Sequence, residues 1–216
     1  MSLAKRQAFS LIKKAYEKIG RKPVTTPSTL RLIVPLTANR TSYSFPILEG
    51  DSNLSHPNQI LLNRADAFTC TSVGVFIGGL GLVEDELVPT TDLGNEILQQ
   101  DPTQLSAIAS LKPYAIFNNG LLNISVNNVK YLQNYDVLQL NKQSALNAGA
   151  PVGMTNGMKG EMDGFNDVVP TLQFSGTAKI DITLNTPIAS YTGTGALYVE
   201  IILRGFLSLG ASNLNK

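Results

Sequence analysis

The spacing of apolar residues changes once along the chain, and this change limits the folds that the sequence can adopt. In residues 2–20 apolar residues recur every three or four positions, which is typical of an amphipathic helix. The apolar side consists of Ala4, Ala8, Leu11, Ile12, Ala15, Tyr16 and Ile19. From residue 29 onward apolar and polar residues alternate, which is the period of a half-buried strand. The sequence therefore predicts one N-terminal helix followed by a β domain.

Ten segments of this β domain are short and either alternate or are rich in β-branched residues, and turn-forming residues separate them. They are Thr29–Leu36, Ser42–Leu48, Gln59–Asn63, Ala67–Ile77, Tyr114–Phe117, Leu121–Val126, Tyr135–Leu140, Thr171–Phe174, Ala178–Leu184 and Leu197–Leu203. In the last two segments alternation predicts one inward apolar face, formed by Ala178, Ile180, Ile182 and Leu184 and by Leu197, Val199, Ile201 and Leu203, and places Tyr198, Glu200 and Arg204 on the opposite face. In this part of the chain only Asn95–Leu111 has a helical composition. Because the βα alternation of a parallel-sheet protein is missing, we expect an all-β fold, an antiparallel sandwich or barrel.

Two boundaries and two connections can also be predicted. Gly20 ends the helix, and the prolines after it make Arg21–Ser28 an extended tether. The predicted organisation is thus an arm with its tether at 1–28 and the β domain at 29–216. Asn118-Asn119-Gly120 predicts a hairpin, since Asn and Gly tolerate positive φ, and the Gly- and Met-containing span 141–167 predicts a long loop.

Basic residues are concentrated at the N-terminus. Residues 1–22 contain seven basic residues and one acidic residue, for a net charge of +6, whereas residues 23–216 contain ten basic and fifteen acidic residues, for −5. The seven are Lys5, Arg6, Lys13, Lys14, Lys18, Arg21 and Lys22. Charged residues make up only 15% of the chain, against about 25% in a typical domain. We therefore expect other subunits to cover part of a weakly polar surface.

The residues required for most catalytic chemistry are scarce. The single Cys70 and the single His56 exclude an intrachain disulfide, a multi-cysteine metal site and a multi-histidine centre. His56 lies in a turn sequence, and the sequence contains no G-x-S-x-G elbow with a nucleophilic serine. Cys70 lies in an apolar strand, where burial suppresses thiol reactivity. The acidic span 161–167 leaves an ion site open, although it does not match an EF-hand loop. We expect no enzymatic activity and no cofactor.

The basic helix has three possible roles. It can pack on its own domain and present a solvated polar side. It can bind nucleic acid, since its charges would release counterions from phosphates without sequence preference. It can also lie on a membrane surface, with Leu3, Phe9, Leu11 and Ile12 in the headgroup region and the lysines on anionic lipid.

The basic arm, the Pro-containing tether and the single sandwich rich in Asn, Gly, Thr and Leu resemble the single jelly-roll coat proteins of small icosahedral viruses. The resemblance covers the whole chain and lies in its layout. Four segments also resemble structural proteins of tailless or environmental bacteriophages: 31–36, 41–48, 66–76 and 197–207.

The resemblance implies a jelly-roll capsid subunit without catalytic residues that assembles with itself and with other virion proteins. It would be made in the host cytoplasm and reside in the virion. We expect residues 1–22 to project from the sandwich toward the shell interior, so that the seven basic residues contact viral nucleic acid or an internal membrane. Two other roles stay open: a virion spike or attachment module that binds host-surface carbohydrate, and a phage tail-tube subunit.

Overall fold

The structure is a computed structural model that describes residues 3–19, 24–37, 40–51, 56–78, 88–89, 120–137, 165–186 and 198–212. Within these ranges one helix and nine strands follow each other. They are α1 (Leu3–Ile19), β1 (Thr25–Pro35), β2 (Ser42–Ser44), β3 (Ala67–Gly78), β4 (Val88–Pro89), β5 (Leu121–Val126), β6 (Val129–Asp136), β7 (Phe165–Ser175), β8 (Ile180–Asn185) and β9 (Tyr198–Ser208).

The strands form two antiparallel sheets. In sheet A the order is β1-β9-β3-β7, with the two-residue β4 extending the same side of β3 beyond the end of β7. In sheet B the order is β2-β8-β5-β6. Apart from the neighbours β3–β4 and β5–β6, successive strands belong to opposite sheets, and β9 returns between β1 and β3. Without the short β4, this is the eight-stranded arrangement of a jelly roll. The predicted all-β, jelly-roll-like sandwich with an N-terminal helix is confirmed.

One continuous core fills the space between the sheets. Alternation aims every second side chain inward, so that sheet A contributes residues such as Leu32, Phe174 and Ile201 and sheet B contributes Ile124 and Ile182. The inward residues predicted for the segments 178–184 and 197–203 are those found in the core or packed against it, for the part of each segment that the structure describes.

Several strand boundaries differ from the sequence prediction, and the predicted strand Gln59–Asn63 is wrong, because only Ile60 and Leu62 form isolated bridges there. β1 begins at Thr25, so the residues expected to end the tether pair with Gly205–Ser208 of β9. Pro27 is tolerated there because β1 is an edge strand that pairs only with β9 around this residue. The N–H that proline lacks therefore removes no hydrogen bond on the unpaired edge of β1. β7 begins at Phe165, inside the predicted 141–167 loop, and β2 ends at Ser44.

Sheet B also contains a hairpin that the sequence analysis did not predict. The observed turn is Asn127–Asn128, with φ values of 50° and 65°, and it joins β5 to β6. Residues 129–134, which we did not expect to be extended, belong to β6. The predicted strand 114–117, the helix 95–111 and most of the 118–120 turn lie outside the described residues, as does the second half of the predicted strand 135–140, whose first two residues end β6.

Two of the longest connections leave from the same end of the sandwich. Tyr198, which begins β9, pairs with Pro35 and Gly78 at the ends of β1 and β3. Likewise, Leu121 at the start of β5 pairs with the last residues of β6 and β8. These connections, 90–120 and 137–164, far exceed the usual length of about 4–6 residues. The tight turns at 127–128 and 176–179 lie at the opposite end.

Candidate interaction surfaces

Helix α1 packs on the outer face of sheet A, across β3 and β7. Its buried side is a stripe at four-residue spacing, Ala4, Ala8, Ile12 and Tyr16. The two alanines bring the helix axis close to the sheet, and the larger Ile12 and Tyr16 fill a small cluster with Ala67, Phe206 and Ala211. This cluster is separate from the core between the sheets.

Polar contacts fix both ends of α1. Near its N-terminus the hydroxyl of Thr171 on β7 donates to the carbonyl oxygen of Ala4 over 3.2 Å. Near its C-terminus the hydroxyl of Tyr16 lies 3.2 Å from the carbonyl oxygen of Val24 and 3.3 Å from that of Leu209. Between them the ring of Phe9 packs on that of Phe206, with centroids 4.7 Å apart. The helix is therefore part of the folded domain.

This packing corrects our expectation of an arm that projects from the sandwich. The four residues buried against the sheet are among the seven apolar residues that the 3.6 period predicts. The amphipathic pattern was therefore interpreted correctly, but the surface that its apolar side contacts, the outer face of sheet A, was not predicted. A sheet face that carries Ala67 and Phe206 beside the start of the chain offers the stripe an apolar surface within its own domain.

We expect replacement of Tyr16 by Phe to lower the free energy of unfolding by about 1 kcal/mol, because the hydroxyl is lost and two partly buried carbonyls lose a donor. Urea titration of the variant and the parent measures the difference. The matched control is Tyr131→Phe on the exposed surface of β6. Equal effects of the two substitutions would show that the hydroxyl of Tyr16 does not anchor the helix.

The outward side of α1 carries positive charge. With about 100° of rotation per residue, Arg6, Lys13 and Lys14 point away from the buried stripe, and all three are exposed. We call these three residues the cationic ridge. Lys13 Nζ lies 3.8 Å from Glu17 Oε1, but both side chains are largely in solvent, so this pair neutralises little of the ridge.

The structure places the other predicted basic residues differently. Lys5 is exposed and lies closer to the sheet than the ridge does. Lys18 belongs to the last turn of α1, but its side chain is not described, and Arg21 and Lys22 lie outside the described residues. The structure thus brings Arg6, Lys13 and Lys14 together on one surface.

The outer face of sheet B is polar and contains a shallow depression of about 260 Å³. Amide, hydroxyl and charged side chains line most of it, among them Asn123, Lys130, Asn134, Asp181 and Thr183. The depression forms where β6 departs from regular pairing with β5, and the side-chain oxygen of Asn123 accepts the backbone N–H of Asn134 over 2.8 Å. Sequence analysis missed this surface, since its residues come from three strands whose pairing was not predicted.

The two residues considered for catalysis have structural surroundings. Cys70 is fully buried in β3, and burial raises the pKa of its thiol to about 12, which confirms the expectation of an unreactive cysteine. His56 precedes a turn, packs against the ring of Tyr198 at 4.8 Å, and its Nδ1 accepts the backbone N–H of Asn58 over 3.3 Å. Among the described residues, no group of three or more His, Cys, Asp or Glu side chains is placed to hold a metal ion. Only the last three residues of the span 161–167 are described.

An unexpected ion pair lies on the outer face of sheet A. Glu200 of β9 is 1% exposed, and its Oε1 lies 2.7 Å from Nε of Arg31 on β1. Burial raises the pKa of this carboxyl to about 7, although the nearby Arg31 acts in the opposite direction. We had placed Glu200 on the face of β9 away from the core, which is correct. No sequence signal shows that this part of the outer face is buried.

Comparison of the chain with protein-family models, with curated proteins and with solved structures finds no match. No helix among the described residues is both long and apolar enough to span a bilayer. The fold and the surfaces described above are therefore the basis for any proposal about function.

Proposed function

We propose that the chain is a non-enzymatic capsid subunit that assembles with copies of itself into an icosahedral shell around a viral genome, as in a bacteriophage. The observation that carries the proposal is the strand order, β1-β9-β3-β7 over β2-β8-β5-β6. Viral capsid domains share this double-sheet arrangement, as do lectin domains and cupins. Because a fold alone does not fix a function, the surfaces must supply the rest.

The distribution of charge supports a shell subunit over an isolated domain. The cationic ridge lies on the sheet A side of the sandwich, whereas the depression on sheet B combines amides and hydroxyls with one lysine and one aspartate. With only 15% charged residues overall, much of the remaining surface suits burial between neighbouring subunits. We infer that sheet A and α1 face the inside of the shell, where a polyanion, the genome or an internal membrane, would neutralise the ridge.

We expect the purified protein to form closed shells or stable oligomers of itself. Light scattering across a dilution series measures the mass, and electron microscopy distinguishes the architectures. Closed shells are the expected result. A single species of about 23 kDa that persists at high concentration and low salt would contradict the proposal, and stacked rings would indicate a tail-tube subunit instead.

The depression on sheet B favours a second candidate, a virion attachment module that binds carbohydrate. Its amide, carboxylate and hydroxyl groups can exchange hydrogen bonds with sugar hydroxyls. In that case microscopy would show isolated small oligomers, and Asp181→Asn together with Asn123→Ala would abolish retention on a glycan array. Unchanged retention, or no retention by the parent protein, would contradict the second candidate.

A further inference from the structure

The exposed apolar side chains of this protein are gathered around α1. Among the described residues nine large hydrophobic side chains are exposed, and six of them lie on the helix or beside its ends. On the helix itself Leu3 is 61%, Phe9 45% and Leu11 38% exposed. An apolar cluster of this kind on a soluble surface marks an interaction site.

The other three exposed side chains adjoin the two ends of the helix. Val24 and Leu209 flank its C-terminal end, where their carbonyl oxygens receive the hydroxyl of Tyr16. Val169 precedes by two residues the Thr171 that anchors Ala4 at the N-terminal end. The apolar residues thus surround the cationic ridge on the same side of the sandwich.

The combination of basic and exposed apolar side chains distinguishes between the two possible polyanions, nucleic acid and an anionic membrane. Contacts to nucleic-acid phosphates require only the cations of the ridge and leave the surrounding apolar groups in water. A bilayer with anionic headgroups uses both, because each Lys or Arg gains from the surface potential while exposed Leu and Phe enter the boundary between headgroups and acyl chains. The long stems of Lys13 and Lys14 allow their ammonium groups to remain among the headgroup phosphates.

We propose that the exposed side of α1, with Leu3, Phe9, Leu11 and the cationic ridge, docks the subunit on the anionic surface of a lipid bilayer. The apolar face of a helix at such an interface is buried about 5–10 Å deep, and α1 is about 10 Å across. Residues on the sides of the helix can therefore reach the lipid as well as those that point directly away from the sheet. The inference rests on the proposed function for the source of this lipid, a bilayer enclosed by the shell.

Vesicle co-sedimentation of the full chain tests the proposal. The parent protein should sediment with phosphatidylcholine vesicles that contain phosphatidylglycerol, and much less with phosphatidylcholine alone. The double variant Leu3→Ser, Leu11→Ser should lower the partition coefficient about tenfold, since it removes the apolar contact and keeps every charge. Lys13→Gln and Lys14→Gln should each lower it about fivefold.

The matched control is the double variant Ile60→Ser, Val129→Ser, which changes two exposed apolar residues away from α1. It should bind vesicles like the parent. Equal binding by the Leu3→Ser, Leu11→Ser variant, or equal loss in the control, would overturn the proposal. Binding of the parent to single-stranded DNA but not to vesicles would also overturn it and identify nucleic acid as the partner.

Electron microscopy of the same samples separates this inference from the proposed function. Shells formed by a parent protein that does not bind vesicles would overturn the lipid contact alone. Vesicle binding by a parent protein that never forms shells would support the lipid contact and overturn the capsid function. The proposal that the bound bilayer is enclosed by a shell would then fail as well.

Discussion

Replacement of Gly205 by valine is expected to destabilise the protein by about 3 kcal/mol. Gly205 lies in β9 opposite Cys70, where β3 contains a bulge between Cys70 and Ser72. A Cβ at position 205 would overlap the backbone carbonyl of Thr69, and it would come within 3.0 Å of the Cα of Cys70. Backbone atoms in the centre of a sheet cannot move aside as a flexible side chain can, so the clash must distort the pairing of β3 with β9.

The midpoint of urea unfolding, measured for the variant and the parent, gives this loss. Gly50→Ala is the control, because Gly50 has a φ of 86° and a Cβ added there would have no other atom within 4 Å. It should cost about 1 kcal/mol, which is the strain of a left-handed backbone alone. If the two substitutions cost the same, the close approach at Gly205 is not what requires glycine.

The stability of the protein is expected to fall by about 3 kcal/mol between pH 4.5 and pH 8 through the single carboxyl of Glu200. Its pKa is about 7 in the folded protein against an ordinary value of 4.5, because burial disfavours the charged form more than Arg31 favours it. Between these two values the folded state holds a proton that the unfolded state has released. The contribution of Glu200 is therefore complete below about pH 4.5 and is lost as the pH rises through 7.

Glu200→Gln isolates this effect, since glutamine keeps the shape and cannot ionise. The free energy of unfolding of the variant minus that of the parent, measured by denaturant titration, should increase by about 3 kcal/mol from pH 4.5 to pH 8. Other carboxyls titrate in both proteins and cancel from the difference. A difference that does not change with pH would show that the carboxyl ionises in the folded protein as readily as in the unfolded chain.

The sequence predicted best the features that depend on local periodicity. The 3.6 period of residues 2–20 located α1, and strict alternation located β8 and the inward side chains of β9, because one buried face is enough to produce each pattern. The central strand β3 was also located within one residue, since its β-branched run is bounded by turn residues.

Features set by tertiary pairing could not be predicted in this way. Residues 25–28 look like a Pro-containing tether and become part of β1 only because β9 supplies a partner. Most of β6 is exposed and pairs irregularly, so its sequence has no alternating pattern. The Asn127–Asn128 turn before it is also a weaker turn signal than the nearby Asn-Gly at 119–120. Of the candidate site, the basic residues and the apolar Leu3, Phe9 and Leu11 were named from the sequence. The burial of Ile12 and the presence of Val24, Val169 and Leu209 beside the helix needed the structure.

The position of β9 between β1 and β3 also determines when the protein can fold during synthesis. Residues 25–35 have no hydrogen-bonded strand beside them in sheet A until residues 198–208 have been translated. Contacts between segments so distant in sequence form slowly, and the surface of Ala67 and Phe206 on which α1 packs is also incomplete until then. Sheet A therefore closes only after β9 has left the ribosome, which delays the appearance of a folded subunit until nearly all of the described chain has been made.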